Sequence, residues 1–325
     1  MKILILGGGG MVGQKLAHRL IDHGLDGVTE PDITLHDLGF PEGGAPVQDL
    51  RIGSLADAGA VETLAAERFD VIFHLASIVS GEAETNFDLG WSVNMHPTWR
   101  MLEALRAEHT ATDGTYRPKL IFTSSIAVFG GPYPDKISDT FLSAPQTSYG
   151  AQKSICETLI ADFSRKGFID GMSVRLPTIC VRPGKANLAA SSFFSGIIRE
   201  PLNGVEAILP VKDSVRHWHA SPRSAARFLT HAAGLDTARL DNRRALNLPG
   251  VSCTVAEQIE ALRDIAGNDV VNLIKPAPDP AIAKIVDGWP RDFAPDRAIA
   301  LGFQAEDSFK QIIETYIADD LNPSA

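Results

Sequence analysis

The chain has 325 residues, with 40 Asp and Glu against 30 Lys and Arg, a formal net charge of −10. No run of basic residues appears, which excludes a phosphate-tracking nucleic-acid surface. With 44% apolar and 22% charged residues the composition is that of a globular chain, neither disordered nor fibrous.

Taken in chain order, short aliphatic runs alternate with helical stripes. Strands are predicted over 2–6, 33–36, 47–51, 71–75, 120–123 and 173–176. Between them Met11, Val12, Leu16, Leu20 and Ile21 recur at helical spacing, as do Val61, Leu64 and Ala65, then Val93, Trp99, Leu102 and Leu105, then Ile155, Cys156, Leu159, Ile160 and Phe163. This rhythm predicts an α/β fold of Rossmann type, a doubly wound parallel sheet with crossover helices. After Pro177 the chain is punctuated by proline and glycine, and residues 225–233 and 245–248 read as one more helix and strand. The expected division is a dinucleotide-binding domain over 1–176, to which 222–249 returns, and a smaller loop-rich substrate lobe from 177–221 and 250–325. The N-terminal apolar run is too short for a membrane span or a signal-peptide core. Cys156, Cys180 and Cys253 are odd in number and widely spaced, so they predict buried, reduced thiols in a cytoplasmic protein, without a zinc site.

The first strand runs into Gly7-Gly8-Gly9-Gly10-Met11-Val12-Gly13 and then a helix. Glycines let a backbone approach a pyrophosphate, and the amides at a helix N-terminus meet its charge. The run satisfies both GxGxxG and GxxGxxG, so spacing does not choose between them. Asp37 ends the second predicted strand, near the roughly 20-residue offset of an acid that accepts the adenine-ribose hydroxyls. Only Leu38-Gly39 follows it, with no arginine for a 2′-phosphate, which favours NAD over NADP.

Tyr149 and Lys153 stand at i and i+4, on one helix face. A free tyrosine titrates near 10, too high for a base at neutral pH, and an adjacent ammonium favours the phenolate. Thr123-Ser124-Ser125 falls at the C-terminal end of a predicted strand, the edge where ligands sit in open α/β sheets. Ser125 is the preferred hydroxyl for the reacting oxygen, with Ser124 as its rival.

These motifs together resemble the extended short-chain dehydrogenases/reductases, the NAD-dependent epimerase/dehydratase family. The resemblance adds His74-Leu75-Ala76-Ser77, Asn94, and Thr123-Ser124-Ser125 with Val128-Phe129-Gly130. It implies Tyr149 as general acid/base, Lys153 as the group that tunes it and holds ribose, and Ser125 as the third catalytic residue. Cofactor contacts are implied for Gly7, Gly10, Met11, Val12, Gly13, Asp37, Ser54, Leu55, Leu75, Ala76, Ser77, Asn94, Thr123, Tyr149, Lys153, Pro177 and Ile179. Two departures stand out: Ser54 replaces the family's usual aspartate near adenine, and Phe129 replaces a tyrosine. Ile126-Ala127 offers no acid beside the catalytic hydroxyl, which argues against dehydration.

Segments around 78–84, 175–202, 216–222 and 288–290 resemble a subgroup acting on D-erythronate. This implies NAD-linked oxidation of the C2 hydroxyl of a four-carbon sugar acid. Ser77, Ser125 and Tyr149, with Asn187, Ser191, Arg182 and Arg216 as carboxylate donors, are the candidate substrate contacts. His217 and His219 flank Trp218 and read as packing rather than metal ligands. The alternatives are a nucleotide-sugar 4-epimerase with tightly held NAD and, more remotely, an NAD-sensing regulator. The expected partner is a small sugar acid, with no nucleic acid and no membrane, in a homodimer built from helices around 94–106 and 149–163.

Overall fold

The computed structural model describes residues 1–184 and 190–321. From the N-terminus, β1 (Lys2–Leu6) leads into α1 (Met11–His23), followed by β2 (Asp32–Asp37), β3 (Asp49–Ile52), α2 (Ala60–Ala66) and β4 (Val71–His74). Then come α3 (Ser80–Thr85), α4 (Phe87–Asn94), α5 (His96–Ala111), β5 (Lys119–Ser125) and α6 (Ser148–Arg165). Strands Asp170–Leu176 and Ala245–Asn247 complete a seven-stranded sheet, ordered 245–247, 170–176, β5, β4, β1, β2, β3. β1 pairs in parallel with β2 and β4, β2 with β3, and β4 with β5. The chain reverses its direction of travel across the sheet between β1 and β4, and that reversal opens a crevice at the strands' C-terminal ends.

The predicted strands are all present, with ends moved by a few residues, the usual fraying of such boundaries. Their runs of Ile, Leu, Val and Phe are apolar on both faces because helices cover both. On one face Leu4, Leu6, Ile72, Leu120 and Phe122 pack with Met101, Leu102 and Leu105 of α5 and Cys156 and Ile160 of α6. In α1 Leu16, Ala17 and Leu20 are inside, whereas Ile21 of the predicted stripe is 38% exposed.

Two compact units divide the chain. The first comprises residues 1–128, 145–175 and 226–246, and the second 129–144, 176–225 and 247–325. The segment 129–144, expected in the first unit, groups with the second because its strand Ile137–Ser138 pairs in parallel with Phe293–Ala294. In the second unit, strand Arg216–Ala220 lies between Val251–Thr254 and Thr178–Ile179, the first antiparallel to it and the second parallel. Its core gathers Phe194, Ile197, Ile198, Leu262, Ile312 and Ile313.

One close approach places α6 in the first unit. A Cβ on Gly150 would lie 2.1 Å from the carbonyl oxygen of Ala127, so the first turn of α6 presses on the turn that follows β5. Backbone cannot yield there as a side-chain tip can. Gly150→Ala should therefore cost about 1–3 kcal/mol as an overpacked contact and abolish most activity, seen as a lowered thermal midpoint and a lost initial rate.

Candidate active site

The phosphate cradle is built from backbone. The amides of Gly7 and Gly8 donate to the carbonyl of His36 at 2.9 and 3.1 Å, bending the chain sharply as it leaves β1. Gly7 has φ +85°, and a Cβ there would sit 2.6 Å from the amide nitrogen of Ala76. A Cβ on Gly13 would sit 2.3 Å from the carbonyl oxygen of Gly7, so α1 rests directly on the loop. Gly10 caps α1 with no side chain bonded to the helix amides and no acid in the first turn. A helix N-terminus of this kind, with no side chain on its first amides and no acid against its dipole, suits a pyrophosphate.

Asp37 ends β2 and holds the same loop: its Oδ2 accepts from Gly9 N at 2.9 Å and its Oδ1 from Leu38 N at 2.7 Å. A carboxylate has further lone pairs for ribose hydroxyls. The nearby Arg51 is committed to Asp49 (2.8 Å) and Glu67 (2.9 Å) rather than offered to a 2′-phosphate. Ser54 Oγ accepts from Ala56 N at 3.1 Å, which fixes the turn beyond β3, and Leu55 is buried. The residues thus fit NAD, with an acid rather than a cation where the two dinucleotides differ.

At the end of β5, Thr123 and Ser124 are buried, and Ser124 Oγ has no hydrogen-bond partner. Ser125 is the partly exposed hydroxyl, accepting from Ala127 N at 3.1 Å. Its exposure, against the burial of Ser124, favours it as the hydroxyl that a substrate can reach. Helix α6 is capped by Thr147, which accepts from Gly150 N at 3.1 Å, while Glu84 accepts from Ser148 N at 2.9 Å. These ties hold the first turn, and so Tyr149.

Lys153 is 1% exposed. Its Nζ donates to the carbonyl of Thr123 at 2.9 Å and lies 4.6 Å from the Phe122 ring centroid and 5.5 Å from that of Tyr149. Burial pulls its pKa down to about 8, with Cys156 and Glu157 acting the other way. The carbonyl and the two ring faces are what a buried ammonium finds in place of water.

Behind these groups lies a polar layer that the motifs only hinted at. His74, 1% exposed, shares a 2.9 Å hydrogen bond with Thr98 Oγ1, and burial together with the Lys153 charge pushes its pKa down to about 3. It is therefore neutral. Asn94, expected among the cofactor contacts, is also 1% exposed; its amide bonds Ile78 N at 2.8 Å and Gln152 Oε1 at 2.8 Å. Leu75, Ala76 and Ser77 are partly exposed after β4, with Leu75 N tied to Leu6 O at 2.8 Å. Gln152 was not foreseen. Its signal was available, a polar residue between Tyr149 and Lys153 on the side that faces inward.

In the second unit, Arg182 donates to Ile179 O at 2.9 Å and Ser191 Oγ at 3.1 Å. Arg216 pairs with Glu257 at 3.1 Å and Ser252 O at 3.0 Å, an engaged guanidinium on a partly exposed surface. Pro177 and Ile179 are buried. Asn187 lies outside the described residues. His217 bonds Thr178 Oγ1 and Pro290 O at 2.7 and 3.0 Å, and Trp218 Nε1 donates to Leu248 O at 3.2 Å. Burial lowers the pKa of His217 to about 4. Both side chains pack, and no cluster of metal-ligating side chains occurs among the described residues.

A glycine cradle, an acid at the end of β2 and a Tyr/Lys/Ser set carried by α6 and the end of β5 define an NAD-dependent oxidoreductase of the short-chain type. The chain belongs to the NAD dependent epimerase/dehydratase family, which its residues 3–222 match. It is 44% identical to a D-erythronate dehydrogenase of Cupriavidus necator over 98% of both chains. To a D-erythronate dehydrogenase of Haemophilus influenzae it is 41% identical, over 99% of this chain and 100% of the other. Among solved structures, one described as a nucleoside-diphosphate-sugar epimerase from Agrobacterium tumefaciens is 51% identical, with a TM-score of 0.95, covering 100% of this chain and 95% of that one. An L-threonine dehydrogenase from Clostridium difficile, at 22% identity and a TM-score of 0.84, shares the fold.

Two outcomes follow from this geometry. Lys153 binds its proton less tightly folded than unfolded, so its burial opposes folding most below pH 8, and that opposition fades as pH rises toward its unfolded value near 10.4. Lys153→Met should thus be the more stable protein at pH 7, by up to about 3 kcal/mol, with the gap to wild type closing above pH 8 in urea melts. Asp37→Ala should raise the KM for NAD and narrow the preference over NADP, because it removes the carboxylate expected to accept from the ribose as well as the tether of Gly9; steady-state kinetics with each cofactor reads both.

Proposed function

We propose that the chain oxidises the C2 hydroxyl of a small sugar acid, D-erythronate first, to the 2-oxo acid. The observations that carry this reading are the partly exposed Tyr149, its ring centroid 5.5 Å from the Lys153 ammonium, and the partly exposed Ser125, followed by Ile126-Ala127 in place of acids. That set moves one proton and has nothing with which to expel a leaving group. Identity of 44% and 41% to D-erythronate dehydrogenases over nearly the whole chain supports the substrate.

Ser125 donates to the substrate oxygen and holds it beside the Tyr149 hydroxyl. Tyr149, as phenolate, takes the hydroxyl proton, and the positive charge of Lys153 stabilises that form. NAD, held by the glycine cradle, would supply the two-electron acceptor for the C2 hydride, while Tyr149 passes the proton it has taken on to solvent. Lys153 has one donor on Thr123 O and others for the nicotinamide ribose. Arg182 and Ser191, with Asn187, stand as candidate donors for the carboxylate; Arg216 ranks behind them because Glu257 engages it.

The solved structure at 51% identity favours a second reading, a nucleotide-sugar epimerase that returns the hydride to its substrate. A homodimer is part of the proposal: Trp99 of α5 stacks edge-on with Phe163 of α6 yet stays 43% exposed, and Ile155 of α6 is 38% exposed on the same helix. Buried thiols at Cys156, Cys180 and Cys253 accord with a cytoplasmic setting. No helix among the described residues is long and apolar enough to cross a membrane.

Purified protein with NAD and D-erythronate should form NADH, followed by its absorbance, and Tyr149→Phe should stop this while leaving NAD affinity nearly unchanged. Silence with every four-carbon sugar acid, alongside interconversion of a UDP-sugar, would transfer the assignment to the epimerase.

A further inference from the structure

Between Tyr149 and Lys153, helix α6 carries Gln152, an amide that is 0% exposed. A buried polar side chain is costly unless its groups are bonded. Gln152 Oε1 accepts from Asn94 Nδ2 at 2.8 Å, while its Nε2 has no partner and points at α4, where a Cβ on Gly90 would lie 2.6 Å away. Glycine at 90 is therefore what lets the amide fit. Asn94 in turn accepts through Oδ1 from the backbone N–H of Ile78 at 2.8 Å.

The direction of this chain is fixed chemically. A backbone N–H only donates, so the Asn94 atom facing Ile78 N is an oxygen; its NH2 then faces Gln152, which must present an oxygen in return, and also reaches the Ile78 carbonyl at 3.5 Å. Asn94 is further confined because its own carbonyl receives Thr98 Oγ1 at 3.4 Å and Cys156 Sγ at 3.5 Å. One end of the chain is the segment after β4 that carries Ser77; the other is the helix turn that carries Tyr149 and Lys153.

We propose that Gln152 is a positioning residue that, through Asn94, holds the backbone at residues 77–78 in register with Tyr149 and Lys153. Its kinetic part rests on the function proposed above. Misplacing reacting groups by 1 Å can cost on the order of a hundredfold in rate, and two hydrogen bonds between the halves of a site restrain it on that scale.

The test compares Gln152→Met and Gln152→Glu by two readouts. Hydrogen exchange followed by mass spectrometry reports the Ile78 amide with no substrate present. Methionine fills the volume without an acceptor, so exchange over residues 75–79 should quicken by about tenfold while α6 stays as in wild type. For the same variant kcat should fall by about tenfold or more with a smaller change in the KM for NAD. Glutamate keeps an oxygen facing Asn94, so both readouts should stay within about threefold of wild type. Wild-type exchange and rate in the methionine variant, or equal losses in both variants, would overturn the proposal. If the methionine variant does not fold, Asn94→Asp withdraws the same donor from the other side, and wild-type exchange and rate there overturn it equally. An inactive wild type would refute the proposed substrate, while the exchange readout would still judge Gln152.

Discussion

The buried ammonium of Lys153 organises the first unit. Lys153 has almost no contact with solvent, so its ammonium must be stabilised by what surrounds it: the Thr123 carbonyl and the faces of Phe122 and Tyr149. The neighbouring groups are arranged accordingly. His74, buried nearby, stays neutral and adds no second cation. Glu157, one turn further along α6, supports the charge at a distance while its own carboxylate is held by Arg175 in a two-pronged pair at 2.8 and 2.7 Å. Removing either partner would leave the other's charge buried and unpaired, the costly way for such a pair to break.

Much of this was legible in the residues. Parallel strands with helices on both faces leave an apolar rhythm, and glycine, acid and Tyr/Lys spacings are one-dimensional traces of contacts along a single strand or helix. The cradle shows where that legibility stops. Four consecutive glycines fit two spacings, and the structure keeps both: a Cβ on Gly13 would lie 2.3 Å from the Gly7 carbonyl oxygen and 2.8 Å from Gly8 Cα. The Ser124/Ser125 doubt is of the same kind, since neighbours on a strand point to opposite faces and the sequence does not say which face is open.

What the sequence hid lies between elements remote in the chain. Asn94 carries a family signature but faces inward, toward Ile78 and Gln152. Gln152 has no motif of its own, because its partner stands 58 positions away. The grouping of 129–144 with the second unit likewise depends on a two-residue strand whose partner begins at Phe293. The pairing of Arg216 with Glu257, 41 positions away, is equally invisible in the sequence.

The hold of Asp37 on Gly9 bears on redesign. In this chain the acid expected to select the cofactor also fastens the glycine loop, and Arg51, on the neighbouring strand, is locked between two acids. Cofactor preference is thus not a detachable setting. An engineer who wanted the phosphorylated dinucleotide would have to supply a new acceptor for the Gly9 amide together with a new cation, and directed evolution from this starting point should find paired rather than single replacements.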